Sequence, residues 1–87
     1  MMSNKVSIPL TNYEYEVLKN NYIISACCKM QLNTVTISKS GAELLLTPQE
    51  LKDLIGYVAA EANHARKKSE QEDLNSICDY LESIDHS

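Results

Sequence analysis

Glu61-x-x-His64 sets a carboxylate and an imidazole on one face of a helix, one turn apart. That spacing is half of the ligand set of a di-iron carboxylate bundle, in which two such pairs and two further Glu converge. The chain holds one pair, so a metal centre of this kind would need a second copy. A pair facing solvent near a helix end needs no metal. Cys27 and Cys28 are adjacent and diverge by about 100° on a helix. They lack the two-residue spacer of a zinc knuckle or a thioredoxin-type motif. Cys78 falls on an apolar stripe, where a thiol acts as a small hydrophobe. Zinc held by Cys27 or Cys28 with Cys78 and a His is the metal-linked alternative. Buried thiols are the expectation, and neither metal nor cofactor is expected.

Nucleophilic catalysis would need a Cys or Ser beside His64, and no G-x-S-x-G elbow is present. Two glycines cannot build a P-loop or a G-x-G-x-x-G turn. His86 lies at the chain end, a poor place for a positioned base. The chain is therefore expected not to be an enzyme. Arg66-Lys67-Lys68 is the one basic cluster, short and flanked by acids. A nucleic-acid regulator built on it is a further alternative, disfavoured in a chain of net charge −4.

Charge is divided along the chain. Residues 1–68 carry eight basic and six acidic side chains. Residues 69–87 carry six acids, Glu70, Glu72, Asp73, Asp79, Glu82 and Asp85, and no base. Such an end is either a solvated helix face or an acidic surface for a partner. All five aromatic residues are tyrosines, and Tyr13, Tyr15 and Tyr22 fall in one segment. Tyrosine is amphipathic and enriched at interfaces.

These residues need elements to position them. Thr11-Asn12-Tyr13-Glu14, Thr47-Pro48-Gln49-Glu50 and Ser69-Glu70-Gln71-Glu72 each match a capping box. Pro48 suits the first helical position, and Leu46 with Leu51 forms a hydrophobic staple. The spacing of Leu51, Leu54, Ile55, Val58, Ala59 and Ala62 predicts a helix from Thr47 to about His64–Lys67. Arg66, Lys67 and Lys68 then complement its C-terminal dipole. Leu74, Ile77, Cys78, Leu81 and Ile84 predict another helix after Ser69. Its stripe is out of phase with the first, so an antiparallel αα-hairpin is expected.

Before Thr47, Thr34–Ile37 and Ala42–Leu46 alternate around Ser38-Lys39-Ser40-Gly41, which predicts a β-hairpin. Val6, Ile8 and Leu10 also alternate, with Pro9 confining that segment to an edge. Residues from Asn12 to about Lys29 are expected to form one helix, or a short helix followed by a strand. The expected fold is therefore α+β, a single domain of 87 residues with frayed ends at 1–4 and 85–87. Its order is N-terminal helix, β-hairpin and C-terminal αα-hairpin.

No apolar run approaches the roughly 20 residues of a membrane span. The opening MMSNKVSIPL lacks a signal-peptide core, and an odd cysteine count is not a disulfide framework. A cytoplasmic protein is expected. Its expected role is a protein-interaction module, self-associating as a homodimer and binding a protein partner. Leu45, on the uncovered side of the sheet, Tyr57, the three early tyrosines and the acids of residues 70–82 are the expected contact residues.

Overall fold

The computed structural model describes residues 4–86. Residues 1–3 and 87 of the expected frayed ends lie outside the described residues. The chain runs β1 (Val6–Leu10), α1 (Asn12–Asn20), α2 (Tyr22–Cys27), α3 (Lys29–Asn33), β2 (Thr36–Ser38), β3 (Gly41–Leu46), α4 (Pro48–His64) and α5 (Lys68–Asp85). The expected order is corrected: a strand opens the fold, and the sheet has three strands in the order β1-β3-β2. β1 pairs antiparallel with β3 from Val6↔Leu46 to Leu10↔Ala42. The alternation of Val6, Ile8 and Leu10 is a strand signal, whereas the partner that makes it a strand lies far along the chain, in β3. Pro9 stands opposite Glu43 on this edge strand, and its carbonyl accepts the Tyr80 hydroxyl of α5.

β2 is shorter than expected and pairs with β3 through Thr36↔Glu43, Ile37↔Ala42 and Ser38↔Gly41. Gly41 has φ +147, and a Cβ there would stand 2.3 Å from the Leu10 carbonyl oxygen. Glycine is the residue that satisfies both conditions.

The single helix over residues 12–29 is also corrected. Asn21 leaves the helical conformation at φ −77, ψ 119 and its side chain accepts from the Ile24 amide at 2.9 Å. A short polar side chain here competes with the helix it sits in and starts a new one. Cys28, at φ −112, ψ 31, bends the path again. Bonds from Cys28 N to Ile24 O (2.8 Å) and from Leu32 N to Cys28 O (3.0 Å) still carry the helical direction through it.

The capping boxes at Thr11 and Thr47 are formed. That at Ser69 is not, because α5 starts two residues earlier, with Lys67 as an N-cap lacking a side-chain bond. The basic cluster moves with it. α4 ends at His64, Arg66 and Lys67 lie in the connection, and Lys68 opens α5. These cations stand at a helix N-terminus, where the dipole disfavours them. Lys52 near the start of α4 pairs with Asp85 at the end of α5 at 3.2 Å, so the two helices run antiparallel.

The core is one cluster. Ile8, Leu10, Leu44 and Leu46 from the sheet meet Leu18, Ile24, Cys28 and Leu32 from the short helices. Leu51, Leu54, Val58 and Ala62 of α4 and Leu74, Ile77, Cys78 and Leu81 of α5 complete it. The opposite sheet face carries Ser7, Pro9, Thr36, Glu43 and Leu45, all exposed. Among the described residues no helix is long and apolar enough to cross a membrane.

Candidate functional site

Two side chains lay α2 along α4. Asn21, while capping α2, donates to Glu61 Oε1 at 3.2 Å. At the other end of α2, Cys27 lies beside Tyr57. The charge Cys27 would carry, and then its polar proximity, hold the Tyr57 hydroxyl above the usual tyrosine range. α2 therefore runs antiparallel to α4, its start level with Glu61 and its end level with Asp53 and Tyr57.

This orientation turns Ile24 and Cys28 into the core. What remains outside is apolar. Tyr22 is 82% exposed, Met30 75% and Ile23 40%, and Ala26 and Cys27 are exposed between them. Residues 22, 23, 26, 27 and 30 follow helical spacing, so they form one stripe across the α2–α3 bend. Beside it, the outer side of α4 presents Lys52, Asp53, Gly56, Tyr57 and Ala60 around a shallow hollow of about 350 Å³. Among the described residues, nothing beyond the backbone of its own helix turns comes within 4 Å of where a Gly56 side chain would begin.

The stripe has edges of opposite charge. On the side of α1 lie Lys19, Ser25 and Lys29, sharing a second hollow with Tyr15, Leu32 and Asn33. On the side of α4 lie Asp53, bonded to Gln49 at 3.0 Å, and Glu61, together with Lys52, whose charge is matched within the chain by Asp85. Among the described residues the ion pair formed is Lys52–Asp85, so Lys19, Lys29, Asp53 and Glu61 have no ion-pair partner among them.

The other residues singled out by sequence are dispersed. Glu61 is engaged by Asn21, and His64 is exposed at the last turn of α4. Among the described residues no three His, Cys, Asp or Glu side chains gather to hold a metal ion. All three cysteines are free, Cys27 exposed and Cys28 and Cys78 buried. Burial, and next the neighbouring Cys27, push the Cys28 thiol up to about 11. Burial also raises Cys78, whose thiol points at Glu82 Oε1 at 3.9 Å. Tyr13 donates to Asp73, a tie between α1 and α5 that raises its pKa through this hydrogen bond first. Tyr15 is half-buried against the core. Glu70, Glu72, Asp79 and Glu82 are exposed along α5. Leu45 is 45% exposed on the outer sheet face, among Ser7, Pro9, Thr36 and Glu43.

Of the expected contact residues, the structure joins Tyr13 to Asp73 by a hydrogen bond and sets Tyr22 and Tyr57 on the α2–α4 face. It adds Ile23, Ala26, Met30, Gly56 and Ala60, whose shared exposure was hidden by reading residues 12–29 as one helix. The signal available was composition: residues 22–30 are apolar on more faces than one core can cover. Comparison with protein families, curated proteins and solved structures found no match to this chain.

Proposed function

We propose that this chain is a small cytoplasmic protein-interaction module that works by docking the α2–α3–α4 face onto a protein surface. The observation that supports it is the continuous exposed apolar stripe from Tyr22 to Met30 beside Tyr57 and the Gly56 hollow. Taking about 200 Å² for a large side chain, the exposed fractions of its four large residues amount to roughly 450–500 Å². The largest apolar patch of a typical monomer is roughly 300–600 Å² and is often functional. Here that area sits on 87 residues. Three free cysteines fit a reducing compartment.

Site-specific photocrosslinking in cells that make the protein tests the reading. A photoreactive residue at Ala26 is expected to give discrete protein adducts that disappear with Met30→Glu. One at Ser83, on the far side of α5, gives none. Equal adduct patterns from both positions, or none from position 26, overturn the proposal.

A further inference from the structure

Resting on that docking surface, we infer that its occupant is a second copy of this chain, related by a two-fold axis running along the helices between α2–α3 and α4. The edges carry the argument. A partner of one charge sign would leave either Lys19 and Lys29 or Asp53 and Glu61 facing a like charge. A copy of the same face satisfies both. Rotation about an axis parallel to the helices exchanges left and right edges while keeping each residue at its level along the axis. The basic edge of one copy then meets the acidic edge of the other, twice by symmetry. Because the end of α2 is level with Asp53 and Tyr57, Lys29 of one copy stands opposite Asp53 of the other. Met30, 75% exposed with nowhere to pack in its own chain, comes over the hollow at Gly56 and Ala60.

Area and shape agree. A standard interface takes roughly 800 Å² from each partner. The large apolar side chains supply more than half of this, and the small residues with the charged edges supply the rim. Gly56 and Ala60 let the facing chain approach closely. Tyr22 and Tyr57 provide the rigid aromatic anchors that interfaces favour. The outer sheet face, which a dimer could also use, offers Leu45 among Ser7, Pro9, Thr36 and Glu43, with one large apolar side chain and a single acidic group.

Charge reversal in trans tests this pairing. Light scattering coupled to size exclusion, from about 1 to about 300 µM chain, is expected to show wild type approaching twice its 9.8 kDa mass at the upper end. Lys29→Glu and Asp53→Lys should each weaken association by about tenfold or more, since symmetry applies each change twice. An equimolar mixture of the two variants, and the double variant alone, should regain the wild-type mass. Circular dichroism of every variant guards against loss of fold. Wild type at one-chain mass throughout overturns self-pairing; if position 26 still crosslinks a different protein, the docking surface stands without it. A dimer that ignores both reversals but dissociates with Leu45→Glu overturns the assigned face, placing the contact on the sheet.

Discussion

Gly56→Ala should stabilise the folded chain. Gly56 lies in the middle of α4, with no backbone requirement for glycine and, among the described residues, no atom beyond its own helix backbone within 4 Å of an added Cβ. The new methyl meets open space, so steric cost and burial gain both vanish. What is left is the difference in backbone entropy and helix propensity, about 0.8–1.0 kcal/mol in favour of alanine. In a domain of this length such a change raises Tm by roughly 4–8 °C. It moves the urea midpoint by roughly 0.5–1 M at an unchanged slope. Both should be measured at low micromolar concentration and again after further dilution, because association adds a concentration-dependent contribution to apparent stability. An unchanged or lowered midpoint at the lowest concentration would refute the reasoning. It would mean that Gly56 is covered in the single folded chain.

Gly41→Ala should act in the opposite direction. Its Cβ would meet the Leu10 carbonyl at 2.3 Å with φ at +147, so a loss of at least about 2 kcal/mol is expected in the same urea titration. Thr47→Ala removes the hydroxyl that accepts from Glu50 N at 3.1 Å and loosens the return bond from Thr47 N to Glu50 Oε1 at 2.8 Å. It should cost about 1 kcal/mol, and a midpoint equal to wild type would contradict the cap. Cys28 retains its proton in the folded state up to about 11, above the ordinary thiol value of 9.0. Above pH 9 the unfolded chain therefore binds fewer protons than the folded one, and stability falls as pH rises from 9 towards about 11. Cys28→Ala should flatten that alkaline slope in denaturation series; an unaltered slope assigns it to another group.

Local signals carried part of this fold and long-range ones did not. The boxes at Thr11 and Thr47 and the stripe Leu51–Ala62 depend on residues within a few positions of one another, so they are readable in order along the chain. The Ser69 box has the same letters, yet Lys67 takes the cap position because the connection after Ala65 turns into the helix two residues sooner. Letters alone do not decide between neighbouring starts when no tertiary contact has been counted. β1 shows the larger gap. Its alternation was visible, but its place depends on pairing with β3 across α1, α2 and α3. Pro9 marks it as an edge strand without saying which sheet it edges.

The candidate surface was harder to read for a related reason. Periodicity reports which side of an element is apolar, and α2 is apolar on two sides. Ile24 and Cys28 point inward only because Asn21 restarts the helix and its amide reaches Glu61. Had α1 continued unbroken, the same sequence would have rotated a different set of side chains towards α4. One asparagine thus decides which apolar residues are core and which are surface. Asn21→Ala separates these roles: it removes both the cap on Ile24 N and the tie to Glu61. Beyond the roughly 1 kcal/mol of a lost cap, it should reduce the crosslinking at Ala26 on which the docking surface rests. Full stability loss with unchanged crosslinking would show that core packing of Ile24 and Cys28 alone sets the orientation of α2.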